Sequence, residues 1–474
     1  MIDPPEPRDL VAGAWGPARE DLGFDLEDPA TGEPVGRARA SRPERIERAL
    51  GVAEAAARAA PSGSPAVGPG TLDAIADALD RRLPEITALE SFATGVPIRQ
   101  AAPLGVIVSG SFRLAAEQLR SGALLGSATR EDGRRVEVHR LPLGPALCLV
   151  PWNAPAPMAA HKVACALAAG CPVILKVSEF APYGAQLLAE VIAEHVPEGV
   201  FQFLHGGPET GARLAGDPRI RAVSFTGGLP AGRSVAAASA PLMRPVQLEL
   251  GGNNPLVVLP DAPVDTAARM AAELLTTLNG QWCRALGRLI VPRAMERELV
   301  EAVGGRLAAL VAGPPLEEAT DFGPLVHSVH RDRVRAAVAG LPSASYGSMP
   351  GRGNFLAPTL VATDLEHEVF GPVAGVVGYD DVEEAVRLAN AAPYGLEGYV
   401  CGADEEAALA VARRIRAGEV KVNGSSIMSL HLMTPRPAWG LSGLGEEGTA
   451  ETLRFFTGAR VVGVEGGFAL HTGG

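Results

Sequence analysis

Short apolar runs alternate with amphipathic stretches along this chain from about residue 144 onward. Residues 144–150, 172–176, 200–204, 221–225 and 246–250 are runs of strand length. Between them, residues 158–169, 183–195, a short stretch after Glu209 and residues 232–239 carry helical spacing. Strands that are apolar on both faces belong inside a covered sheet, and helices between them predict right-handed crossovers and parallel pairing. This half therefore reads as a Rossmann-like nucleotide domain.

The alternation restarts after Gly252. Strand-like runs at 256–259, 289–291, 375–378, 398–401 and 420–422 are separated by helical stretches at 266–278, 295–311, 382–391 and 405–415. The fold class expected is α/β, with a Rossmann-like cofactor domain, a second α/β catalytic domain and a small β flap. The expected division is 1–120 with 141–250 for the first domain, 251–454 for the second, and 121–140 with 455–474 for the flap. Residues 134–141 and 460–464 alternate as strands outside both domains, each an edge available to another chain. Residues 61–70 read as a surface connector from their Pro, Gly and Ser content.

Composition narrows the class. A chain of 474 residues exceeds what one hydrophobic core usually organises, and 47% hydrophobic against 20% charged residues is globular. No apolar run is long enough to span a bilayer, and the first residues lack a signal-peptide pattern, so a cytoplasmic protein with no membrane partner is expected. A net charge of -12 argues against a nucleic-acid surface. Five cysteines without paired spacing predict neither a disulfide framework nor a metal site. Cys148 and Cys165 sit in apolar runs as small buried hydrophobes, whereas Cys283 stands among Gly280, Gln281, Trp282 and Arg284. Only three basic residues are lysine, Lys162, Lys176 and Lys421, in a chain that otherwise uses arginine. A flexible ammonium in place of a guanidinium marks these positions for attention.

Three sites together supply chemistry. Cys283 is a candidate nucleophile, Glu249 in Glu249-Leu250-Gly251-Gly252 a candidate general base, and Asn153 in Pro151-Trp152-Asn153 a candidate oxyanion donor. A thiolate attacks an electrophilic carbon best when an amide stabilises the oxyanion that forms, and a carboxylate can activate the water that clears the adduct. That combination suits oxidation of an aldehyde through a thioester.

The ordered series of these segments with Lys176-Val177-Ser178-Glu179, Phe225-Thr226-Gly227, Arg288, Glu368-Val369-Phe370-Gly371-Pro372, Asn390, Tyr394-Gly395-Leu396 and Val422-Asn423 resembles the aldehyde dehydrogenase superfamily over nearly the whole chain. The resemblance implies that Cys283 forms a thiohemiacetal, its oxyanion held by the Asn153 amide and the Cys283 backbone N–H. The resulting thioester would be hydrolysed by water activated by Glu249. It implies a secondary proton relay at Lys162 and Glu447. It further implies NAD rather than NADP, because a carboxylate at Glu179 suits free ribose hydroxyls and repels a 2'-phosphate. The cofactor would be held by Val150, Pro151, Trp152, Lys176, Ser178, Glu179, Gly211, Phe225, Thr226, Gly227, Gly228, Leu250, Gly251, Glu368 and Phe370.

The substrate pocket is expected at Trp282, Arg284 and His431, with Met428 and Met433 on the same loop. Trp282 would form an apolar wall; Arg284 could bind a substrate carboxylate, although a structural ion pair is the commoner role, and the loop with His431 could equally lie on the surface. Residues 435–443 and Gly228 depart from the family pattern, which bears on the entrance to the site. Three rival readings are a CoA-acylating dehydrogenase, disfavoured by Glu249, a catalytically silent scaffold, disfavoured by the intact Cys283, Glu249 and Asn153, and a thiol esterase that uses Cys283 without a cofactor. The resemblance implies a homodimer or homotetramer, with residues 121–140 and the C-terminal strand exchanged between subunits.

Overall fold

The structure is a computed structural model, and it describes residues 2–59 and 66–465. Within the expected connector at 61–70, residues 61–65 lie outside the described residues, as does the end of the 455–474 segment.

Five parallel strands form the centre of the first sheet: β1 (Ala146–Leu149), β2 (Val173–Lys176), β3 (Phe201–Leu204), β4 (Ala222–Thr226) and β5 (Val246–Glu249). Their spatial order is β3-β2-β1-β4-β5, so the direction of winding reverses between β1 and β4. Ligands of open α/β sheets bind beyond the carboxyl ends of the strands at such a switch point. Every residue of β1, β2 and β3 is buried, which explains their unbroken apolar character. Helix Pro155–Ala168, which follows β1, is buried at every residue but Met158. Its many alanines let the long helices Pro69–Thr94 and Ile98–Arg120 approach closely.

The second sheet contains β6 (Asn254–Val258), β7 (Leu286–Pro292), β8 (Thr359–Val361), β9 (Val373–Tyr379), β10 (Glu397–Cys401) and β11 (Glu419–Val422). All six run parallel in the order β8-β9-β7-β6-β10-β11, and Ser343–Ser345 adds an antiparallel edge to β8. Only four residues separate β5 from β6, so the carboxyl rim of the first sheet opens directly onto the second.

One expectation changes here. The strands expected at 134–141 and 460–464 form, but they pair with each other inside one chain. Arg135–Pro142 lies between Leu125–Thr129 and Thr457–Gly463 in a three-stranded antiparallel sheet, with Val461 opposite Val138. Matching alternation lets each satisfy one edge of the other, so the open edges left are those of 125–129 and 457–463. The segment before the expected second-domain end at 454 also returns to the first sheet. Gly443–Leu444 adds antiparallel to β5, and Leu453 and Phe456 enter the core beneath the first sheet. The pairing covers the β5 edge at Leu248 and Glu249, the end nearest the site.

Candidate active site

Cys283 sits in a loop of unusual backbone. Leu278, Asn279 and Gly280 have φ of 50°, 60° and 73° in succession. A side chain at Gly280 would collide with the backbone of Gly371–Pro372. The strained turn is held by buried amides: Asn279 Nδ2 donates to the carbonyls of Gly95 (2.8 Å) and Pro324 (3.0 Å), and Asn279 Oδ1 accepts from Gly323 N (2.8 Å). The carbonyls around the nucleophile are gripped as well. Gln281 O accepts from Asn153 Nδ2 at 2.8 Å, Cys283 O from Asn254 Nδ2 at 2.9 Å, and Arg284 O from the Tyr399 hydroxyl at 2.8 Å. Asn153 is thus fixed beside the Cys283 loop, with one of its two amide hydrogens committed to that loop.

Glu249, at the end of β5, and Cys283 line the same cavity, near enough for each charge to act on the other. Burial, and then the Glu249 charge, push the Cys283 thiol well above its usual range, with Arg284 opposing. Burial raises Glu249, and the nearby Glu447 carboxylate adds to the effect. Lys162 and Glu447 are brought together: Lys162 is fully buried, and its Nζ lies 2.7 Å from Glu447 Oε1 and 2.8 Å from Ser224 Oγ. Burial works against the ionised Glu447, yet Lys162, with His161 and Arg436 beyond it, holds it down at about 2. Four groups, Cys283, Glu249, Glu447 and Lys162, therefore form a chain of titratable side chains leading away from the nucleophile.

A cavity of about 800 Å³ opens over these groups. Pro151, Trp152, Thr226, Gly227, Gly228, Leu250, Gly251, Glu368 and Phe370 line it, which gathers most of the residues expected at a dinucleotide. Gly251 lacks a side chain for a reason: a Cβ there would run into the Glu368 carboxylate, whose Oε1 accepts from Gly252 N at 2.9 Å. Burial, more than Glu249, pushes Glu368 up to about 7. Thr226 Oγ1 is buried without a partner among the described residues and faces the cavity. Lys176, Ser178 and Glu179 lie at the end of β2, outside the cavity, with Lys176 Nζ 3.7 Å from Glu179 Oε2. Gly207, which caps helix Pro208–Gly216, comes close to the same Glu179, and Gly211 lies within that helix. Val150 and Phe225 also stay outside the cavity wall, the ring of Phe225 lying over Gly227.

His330, not singled out from the sequence, belongs to this wall. Its ring centroid is 4.9 Å from Trp152 and 6.1 Å from Phe370, and its Nε2 has no partner among the described residues. Burial lowers it to about 4, so it is neutral near pH 7. A histidine on helix Ser328–Ala337 carries no motif, and only the packing of that helix against Phe370 brings it in.

Away from the glycine rim much of the wall is apolar, with Ser111, Arg113 and Ser429 also lining it. Leu104, Ile107, Leu114, Met158, Trp282 and Ile427 contribute, with Met428 and Leu432 nearer solvent. Of the two alternatives open for Arg284, which lines the cavity, and for His431, the structure favours the ion pair and the surface loop. Arg284 does not offer a free guanidinium to a substrate: its Nη1 lies 2.5 Å from Glu397 Oε2 and 2.8 Å from Glu419 Oε2. Both carboxylates are buried, so the charge is already matched. His431 is exposed and outside the cavity; its Nδ1 accepts from Met433 N in a local turn. Met433 also stays outside. The 435–443 segment folds as short pairings, Arg436–Pro437 with Glu446–Glu447 and Trp439–Gly440 with Tyr394–Gly395.

The fold and this site define a class: a thiol and a carboxylate facing each other at the carboxyl rim of a doubly wound sheet. A sequence profile described as the aldehyde dehydrogenase family matches residues 15–462, and the chain belongs to that family. It is 33% identical over 432 residues to a geranial dehydrogenase of Castellaniella defragrans, covering 88% of this chain and 90% of that one. It is 32% identical over 454 residues to a betaine aldehyde dehydrogenase of Rhizobium etli, covering 92% of each. Among solved structures, an NAD-dependent aldehyde dehydrogenase of Sinorhizobium meliloti superposes with a TM-score of 0.90 at 29% identity, over 99% of this chain and 97% of that one. A mutant aldehyde dehydrogenase C of Pseudomonas syringae, complexed with NAD+ and octanal, gives 0.88 at 29% identity over 96% of each chain.

Proposed function

We propose that the protein oxidises an apolar aldehyde to its carboxylic acid with NAD, through a thioester on Cys283. The observation that carries this reading is that Cys283 and Glu249 line one cavity, glycine-rich on one side and largely aliphatic on the other. NAD, when bound, supplies the two-electron acceptor. The residues present fit it: Glu179 and Lys176 for a ribose, the open backbone at Gly227 and Gly228 before helix Leu229–Ser239 for phosphates, and Glu368 above Gly251 for the second ribose. Trp152 and Phe370, 5.4 Å apart and edge to face, bound the inner end of that rim.

The thiol must ionise before it attacks, and Glu249 is the group placed to take its proton. The thiolate Sγ then bonds to the carbonyl carbon, and the C=O electron pair moves onto oxygen. Asn153 Nδ2, with an amide hydrogen left over from its bond to Gln281 O, is the donor for that oxyanion. After oxidation the carbon is held as a thioester. Glu249 removes a proton from water, hydroxide adds to the carbonyl, and the C–S bond breaks to return the Cys283 thiolate and release the acid. Lys162 and Glu447 give the proton on Glu249 a route away from the apolar pocket.

The apolar wall selects the substrate. A trimethylammonium group is bound by several aromatic faces, and a carboxylate by a free guanidinium; on the substrate side Trp282 stands among aliphatic residues and Arg284 is neutralised. Octanal or geranial should therefore be turned over with a kcat/KM at least ~10-fold above betaine aldehyde or a carboxylated aldehyde. Cys283→Ala should abolish NADH formation, and Asn153→Ala should lower kcat by roughly 10²–10³. CoA-dependent turnover, or a preference for the charged aldehydes, would refute this assignment.

The assembly belongs to the same reading. A homodimer or homotetramer would form through the open edges of 125–129 and 457–463, where Leu125, Val461 and Val462 are exposed. Five free cysteines suit the reducing cytoplasm, and no described helix is long and apolar enough to cross a membrane.

A further inference from the structure

The two carboxylates that neutralise Arg284 are parts of a larger buried set. Lys421, one of only three lysines in the chain, lies with its Nζ 3.0 Å from Glu397 Oε1, and the same Nζ donates to Ser426 O at 2.9 Å. Glu419 uses one oxygen for Arg284 and the other, Oε1, to accept from Leu430 N at 2.6 Å. Arg284 and Lys421 are balanced by Glu397 and Glu419, so the cluster is neutral as a whole. Arg284, Glu397 and Lys421 are each less than a tenth exposed. Its outward hydrogen bonds go to two places. One is the nucleophile loop, through Arg284; the other is the segment 426–430, through Lys421 and Glu419.

That segment bears Ile427, Met428 and Ser429, which line the cavity, and runs on to Leu432 at its mouth. It has no regular strand or helix of its own, so its place depends on what holds it. Paired charges are an expensive way to hold a loop unless the geometry matters, since an apolar cluster would be at least as stable. We propose that Arg284, Glu397, Glu419 and Lys421 form a clamp that sets the outer wall of the aldehyde pocket relative to Cys283. Lys421 and Glu419 are thus positioning residues for substrate length. This rests on the reading of the cavity as an aldehyde site. Neither residue touches the reacting atoms, and their effect should fall on substrates long enough to reach Ile427 and Met428.

The test is Lys421→Met and Glu419→Gln, assayed with propanal and with octanal, alongside hydrogen exchange of residues 424–434. The clamp requires the octanal KM to rise about 10-fold in each variant while the propanal KM, both kcat values and alkylation of Cys283 stay within about twofold. Exchange in 424–434 should quicken in both. Lys421→Arg, which keeps a donor for Ser426 O, should restore most of the octanal KM. The double variant Glu397→Gln, Lys421→Met removes one charge of each sign and guards against misfolding from an unpaired ion. Equal losses on both aldehydes, or unchanged exchange in 424–434, would overturn the clamp. A wild-type protein inactive on every aldehyde would instead overturn the functional reading, and the exchange measurement would still decide whether the cluster holds the loop.

Discussion

Glu249 stands between two opposed influences, and its titration should report on both. Burial and the Glu447 carboxylate raise it, whereas Lys162 and Arg284 lower it. A general base works only when ionised, so thioester hydrolysis should fall as pH drops through the Glu249 value. Glu447 is ionised throughout that range, because its own value is held at about 2. Glu447→Gln therefore removes a negative neighbour, lowers Glu249, and should move the acid limb of kcat to lower pH. Lys162→Met removes a positive neighbour and should move the limb the other way, slowing deacylation near neutrality without altering alkylation of Cys283. Stopped-flow measurement of steady-state turnover after the NADH burst would read both. The residues of this set were legible as motifs. The resemblance implied the pairing of Lys162 with Glu447, but not its burial or the bond to Ser224, since the two residues are 285 positions apart and nothing local marks either as buried.

The turn that presents Cys283 shows what a motif costs in backbone terms. Leu278 and Asn279 adopt left-handed conformations without being glycine, and Gly280 does so at φ 73° against the backbone of Gly371–Pro372. Such conformations persist where surrounding bonds over-determine them, here those of Asn279, Gln281 and Asn254. Gly280→Ala adds both strain and overlap, and should lower stability by roughly 2–4 kcal/mol in denaturant unfolding. Because the turn positions Cys283, the same change should slow alkylation of the thiol. The strands and helices around this turn followed from periodicity, since continuous apolar runs and 3.6-residue spacing are local signals. The two long helices Pro69–Thr94 and Ile98–Arg120 gave no comparable signal. Pro84 and Pro103 interrupt them, and tertiary packing overrides that local penalty.

The molecule as a whole joins its two sheets through the short 249–254 connection and then returns to the first sheet near its end, with Gly443–Leu444 beside β5 and Phe456 in the first core. The strand Thr457–Gly463 that follows leaves an outer edge carrying exposed Val461 and Val462. Under the assembly proposed above, deleting residues 457–474 should yield monomers by light scattering while leaving the first core intact; retained oligomers would place the interface elsewhere.

Fold class and family could be read from the chain alone, and so could candidates for nucleophile, base and oxyanion donor, because strand alternation and a motif's residue types are local properties. The carboxylates that pair with Arg284, the exposed His431, the wall position of His330 and the full burial of Lys162 could not. Burial and charge balance depend on which distant segments the fold brings within a few ångströms, and composition or spacing along the chain does not encode that proximity.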